Sequence, residues 1–354
     1  MNRQRTTPCL RPSLLAAALV GVSFGAQADT VFVTSQKSGV SVVDLATLQT
    51  TAKFDLKGLS PRGIGISKDG RTLVVATRET GGVVLLDART GERTGEVKVG
   101  TNPEFVRIRG DYAFVSYEPS AKAGPPPKPG EAPAAHDDDD DDDEPARIAI
   151  IDLKQRKKVG DIVGGPETEG IEFSKDGKSL VVTNEADNTV TVHDIRTRRL
   201  LKTVSTKKWG DRPRGIKVSP DGKRYIATLE FGNRFLVMDD KFRVLRAVDT
   251  GKSPYGVAFD RAGKRIYVAA AHDQKLEVFD ARSYAKVGEV ATGDRCWHFT
   301  FTPDDKGIVL ACGKSDEVLV IDVATLQVEE RLGGFDMPWG VVAWPRSMGS
   351  LDQP

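Results

Sequence analysis

An aspartate closes a short apolar run seven times along the chain. The copies are Val40-Ser-Val-Val-Asp44, Val83-Val-Leu-Leu-Asp87, Ile148-Ala-Ile-Ile-Asp152, Val190-Thr-Val-His-Asp194, Phe235-Leu-Val-Met-Asp239, Leu276-Glu-Val-Phe-Asp280 and Val318-Leu-Val-Ile-Asp322. Successive copies lie 43, 65, 42, 45, 41 and 42 residues apart. A second series opens each unit: Pro61-Arg-Gly63, Pro103-Glu-Phe105, Thr168-Glu-Gly170, Pro213-Arg-Gly215, Pro254-Tyr-Gly256, Cys296-Trp-His298 and Pro338-Trp-Gly340. Its spacings are 42, 65, 45, 41, 42 and 42. Two independent series sharing one period mark a structural repeat rather than chance.

Each unit reads as four short strands, as in 256–260, 265–270, 275–280 and 286–291, with Asp/Gly turns between them. A period of about 42 residues with four strands per unit predicts propeller blades. An α-solenoid would need a 3.6-residue apolar period, which is absent. The seventh anchor, at Pro338, supplies one strand, and residues 30–56 supply three strands without an anchor. Joined, they complete a blade. The expected fold is all-β: a seven-bladed β-propeller of four-stranded blades, the last closed by the N-terminal strands, leaving no sheet edge free at the seam.

Two segments fall outside the repeat. Residues 1–28 read as a secretory signal, with a basic start at Arg3, Arg5 and Arg11, an apolar stretch over 14–24 and a small-x-small Ala26-Gln-Ala28 site. The stretch is too short to span a bilayer. The expected compartment is the periplasm, with no membrane insertion. Blade two holds an insertion over about 118–145, Pro-rich at 125–130 and acidic at 137–144. It cannot bury a core and is expected to be disordered when free, whether as a solvated loop, a divalent-cation trap or an electrostatic lure for a basic partner. The formal charge of +1 conceals these eight adjacent acidic residues, so the remaining chain is basic. Compartment, rather than charge, argues against a nucleic-acid partner. Residues 29–346 are expected to form one propeller, with 347–354 as a tail.

The residues also resemble a family. Leu180-Val-Val-Thr-Asn184, Pro213-Arg-Gly-Ile-Lys-Val-Ser-Pro-Asp-Gly222 and Val318-Leu-Val-Ile-Asp-Val-Ala-Thr325 are similar to YVTN-type propeller repeats over about 30–344. Arg295-Cys-Trp297, Phe301-Thr-Pro-Asp304 and Pro338-Trp-Gly340 resemble the tail of periplasmic propellers associated with PQQ-dependent catabolism. That resemblance implies a binding or accessory role linked to periplasmic alcohol oxidation.

Enzyme signatures are sparse. No Cys-x-x-Cys-His occurs, which excludes covalent c-type haem. Trp stands only at 209, 297, 339 and 344, too few for the docking repeats of a quinoprotein. No bound cofactor is expected, with a divalent metal left open. Strand order places Arg62, Glu104, Glu169, Arg214, Tyr255, Trp297 and Trp339 where the inner strands enter the channel. Arg78, Glu230 and His272, on the strand B–C loops, join them on the same rim, as does Glu185. Such a mixture suits a small polar ligand or a periplasmic protein partner on a monomer. Cys296 and Cys312 fall opposite or nearly opposite each other in one hairpin, which leaves a disulfide, free thiols or, with His298, a soft-metal site open. His136 and Asp137 are further metal candidates. A non-catalytic binding protein is the leading expectation. A lactonase-like hydrolase and a metal-binding protein are the alternatives.

Overall fold

The computed structural model describes residues 29–118 and 145–354. Among them, 28 strands form seven antiparallel four-stranded sheets, and the single helical element is the short turn Arg78–Thr80. The repeat thus yields the propeller its two series require. The signal segment, His136, Asp137 and the acidic run lie outside the described residues.

In blade five the strands Pro254–Phe259, Arg265–Ala270, Lys275–Asp280 and Lys286–Ala291 run from channel to periphery. Every residue of the innermost strand is buried, whereas the outermost is largely exposed. Inner strands are sandwiched between neighbouring blades and so are buried on both faces. The seam blade pairs Thr30–Ser35 with Pro338–Trp344, from Thr30 opposite Trp344 to Ser35 opposite Pro338.

The recurring aspartate is a turn device. The Oδ1 atoms of Asp44, Asp87, Asp194, Asp280 and Asp322 each accept the N–H three residues on, at 2.6–2.8 Å. Each also accepts the hydroxyl of that Thr or Ser. This is the Asx-turn geometry that short acidic side chains favour.

The anchor glycine reflects close approach between blades. A Cβ on Gly63 would stand 2.1 Å from the Glu104 carbonyl oxygen, and one on Gly256 2.3 Å from that of Trp297. Blades two and six carry Phe105 and His298 at this position instead. Their rings meet at the centre of the molecule with centroids 5.7 Å apart, and His298 also packs on Tyr255 and Trp339. Four blades therefore contribute aromatic rings to one cluster that fills the middle of the channel.

The C-terminal segment departs from expectation. Residues 347–352 are buried rather than a loose tail, and they fill the channel beneath the aromatic cluster. Arg107 donates to the Leu351 carbonyl at 2.9 Å and Lys217 to the Asp352 carbonyl at 3.0 Å. Ser350 Oγ accepts the Phe299 N–H at 3.0 Å. Partners from blades two, four and six hold the segment on the axis.

Candidate functional site at the channel mouth

The residue before each anchor is left-handed in all seven blades. Ser60, Asn102, Glu167, Arg212, Ser253, Arg295 and Met337 have φ between 43° and 59°. None is glycine, so each position carries about 1–2 kcal/mol of local strain. In most blades the carbonyl here accepts the N–H of the residue that follows strand B, as in Glu185 to Glu167 at 3.0 Å and Gly313 to Arg295 at 3.0 Å. This pairing brings pre-anchor, anchor and strand-B-end residues to one rim. They enclose a cavity of about 350 Å³ at the channel mouth.

Of the rim residues predicted from sequence, Arg62, Arg78, Glu104, Glu169, Arg214, Tyr255, Trp297 and Trp339 line this cavity, as does Glu185. Glu230 does not line it but supports it, accepting from Arg214 Nε at 2.7 Å. His272 lies two residues past the end of strand B, half-buried, with Nδ1 2.8 Å from Ser253 Oγ, and does not reach the cavity. Gln36, Asn102, Glu118, Glu167, Arg212, Arg295 and Met337 also line it. The pre-anchor position was the signal for five of them, because it recurs with the anchor.

Most of the charge is internally paired. Arg62 bonds Glu104. Arg214 bonds both Glu185 and Glu230, lies 3.6 Å from Glu169, and stacks 4.8 Å over the Tyr255 ring. Arg212 bonds Glu185 and lies 3.6 Å from Glu167. Burial opposes the charge on Arg214, but Glu230, Tyr255 and Glu169 outweigh it and hold its pKa above the ordinary value. Tyr255 donates to Glu169 at 2.5 Å; burial raises its pKa, with Arg214 opposing and Glu169 reinforcing. Among the described residues, Arg78 and Arg295 line the cavity without a carboxylate within 4 Å. Glu118 is unusual in the other direction. Burial raises its pKa and Glu167 and Glu169 reinforce this, while the hydrogen bond from Asn102 and the charge of Arg78 oppose it.

The Cys/His group is not a metal site. Cys296 and Cys312 form a disulfide. His298 Nδ1 lies 3.1 Å from Ser350 Oγ, and burial pushes its pKa down to about 3, so the ring is neutral. Among the described residues no group of three or more His, Cys, Asp or Glu side chains is placed to hold a metal ion.

A family model described as the cytochrome D1 heme domain matches residues 143–298. No curated protein matches the chain. Solved structures that are similar include Kuenenia stuttgartiensis hydrazine synthase, at 21% identity and a TM-score of 0.68, covering 83% of this chain and 92% of that one. Pseudomonas aeruginosa periplasmic gluconolactonase PpgL is similar at 18% identity and a TM-score of 0.70, covering 89% and 98%. The dihydro-heme d1 dehydrogenase NirN in complex with DHE is similar at 14% and 0.63, covering 88% and 74%. These likenesses establish the fold.

The match to a heme domain corrects the expectation that no cofactor is bound and that only a divalent metal remains open. A Cys-x-x-Cys-His spacing marks covalent attachment alone, and a non-covalent tetrapyrrole leaves no such spacing. The mouth fits such a group at its periphery. Tyr255, Trp297 and Trp339 supply aromatic lining, Arg78 and Arg295 supply guanidinium groups free for carboxylates, and Met337 supplies a thioether. Neither His272 nor His298 lines the cavity.

Proposed function

We propose that this protein is a periplasmic accessory propeller whose channel mouth holds a flat, carboxylate-bearing tetrapyrrole of the heme d1 kind. The observation that carries this reading is that Arg78 and Arg295, in a mouth lined by five Arg and five Glu together with aromatic side chains, have no carboxylate within 4 Å among the described residues. Arginine meets carboxylates with two parallel hydrogen bonds, so these two residues would fix the edge of the group. Tyr255, Trp297 and Trp339 would exclude water from its inner side, and Phe105 and His298 close the channel beneath. Such a group supplies a redox-active iron centre when bound. The neutral, Ser350-bonded His298 does not offer itself from the rim, so retention rests on the periphery and suits delivery or storage rather than turnover. The periplasmic name of one structural neighbour supports the compartment, and no described helix is long and apolar enough to cross a membrane. The resemblance to propellers of PQQ-dependent catabolism supports a periplasmic redox protein as partner. Saturable quenching of tryptophan fluorescence by added heme d1, equal in wild type and His272→Ala, is the expected result. Absence of saturation contradicts the reading.

Glu118 favours a second reading, a lactonase-like hydrolase. A carboxyl whose pKa is raised by burial, hydrogen-bonded by Asn102 in a cleft, is a candidate general acid or base. Hydrolysis of a sugar lactone by the wild type, lost in Glu118→Gln, would establish it. No hydrolysis by the wild type removes it.

A further inference from the structure

The face opposite the mouth carries a second cavity, of about 660 Å³. It lies where the strand A–B turns of blades one to four converge on the C-terminal segment. Lys68, Arg109 and Lys175 reach it from three successive turns. Among the described residues none of the three has a carboxylate within 4 Å. Lys175 donates to the Pro220 carbonyl at 2.6 Å, and Arg109 stands 5.4 Å over the Phe173 ring.

The side-chain carboxylates nearby are spent, and Pro354 also lines the cavity. Glu172 lines the cavity but accepts from Arg107 at 2.8 Å and from Gln353 at 2.9 Å, with Lys217 3.5 Å away. Asp352 is taken by Arg346. The turn aspartates Asp69, Asp176 and Asp221 each accept their own turn's serine hydroxyl at 2.6–2.7 Å and do not line the cavity. Arg107 adds an independent sign. It lines the cavity at 3% exposure, and its Nε is buried without an acceptor.

We propose that this lower cavity binds a small organic anion, a phosphate or carboxylate carried on an apolar body. Three cations without a side-chain carboxylate partner within 4 Å, in a concave site, concentrate positive potential and draw an anion in. Phe173, Ile108 and Trp344 give the body an apolar wall. The size falls within the range of small-molecule sites, roughly 300–1,000 Å³. The site is separated from the mouth by the aromatic cluster and the C-terminal segment, so it stands apart from the proposed tetrapyrrole site.

Calorimetric titration of the whole protein with phenyl phosphate, phthalate and inorganic phosphate tests this. The expected result is saturable binding of phenyl phosphate or phthalate, stronger than that of inorganic phosphate. The stronger of the two organic anions identifies the head group. Affinity should fall at least tenfold in Arg109→Gln/Lys175→Gln, both exposed positions, and should be unchanged in Arg78→Gln/Arg295→Gln. The proposal is overturned by no saturation at millimolar ligand, by inorganic phosphate binding as tightly as both organic anions, or by loss of binding only in the mouth variant.

Discussion

At the scale of single residues, buried charge dominates both ends of the channel. Arg214 is 7% exposed and holds three carboxylates in place. Removing one member of a buried ionic network leaves the others uncompensated, at a cost of about 3–5 kcal/mol. Arg214→Gln should lose about that much stability in urea unfolding, and an unchanged midpoint would contradict the network. Lys217 behaves differently. Burial, reinforced by Arg107 and opposed by Glu172, pushes its pKa down from 10.5 to about 7. Between those values the unfolded chain binds a proton that the folded chain does not, so stability rises with pH across that window. Lys217→Met should remove this rise, seen by comparing urea midpoints at neutral and alkaline pH for the two proteins. A wild-type rise that persists in the variant would assign it elsewhere. The pairing that governs these residues was not legible in the sequence. Arg214 and Glu230 are 16 residues apart, while Arg107 and Glu172 are 65 apart, and only the packing of two neighbouring blades brings the latter together.

At the scale of elements, the C-terminal segment is the main departure from what the repeat suggested. It has no strand pattern, and its burial follows from a central channel that must be filled. Met348 and Leu351 are buried, each contributing about 1.5–3 kcal/mol. The carbonyls of Leu351 and Asp352 also accept hydrogen bonds from Arg107 and Lys217. Deleting residues 346–354 should therefore lower the melting temperature by several degrees, with a cooperative transition retained. An unchanged melting temperature would show that the segment does not fill the channel. Strands, turns and blade count were legible, because burial imposes one apolar pattern on every blade. The Cys296–Cys312 facing was legible too, since hairpin register follows from turn length. Non-reducing peptide mapping should recover that link, and two freely alkylated thiols would contradict it. The mouth was legible in part. Anchor positions revealed Arg62, Arg214 and Tyr255, but the left-handed pre-anchor turn that turns Arg295 and Glu167 to the cavity has no glycine to announce it.

At the scale of the whole molecule, one ring presents two chemically distinct ends. The mouth is a nearly neutralised Arg/Glu ring over aromatic side chains, and the opposite face is cationic. The seam blade makes both depend on closure, because Trp339 at the mouth and Trp344 on the lower face belong to the strand that closes it, and Met337 immediately precedes that strand. Deleting 338–344 would also remove the support of the C-terminal segment, so loss of cooperative unfolding is the expected result. The most direct measurement is an absorbance titration of heme d1 with the wild type and with Arg78→Gln/Arg295→Gln, at matched ionic strength. A guanidinium–carboxylate bond is worth about 1.5–3 kcal/mol, so each lost contact should weaken binding by roughly tenfold or more. Saturable binding by the wild type, at least tenfold weaker in the double variant with its melting temperature unchanged, is the expected outcome. Equal affinity in the two proteins, or no binding to either, would contradict the assignment of the mouth as a tetrapyrrole site.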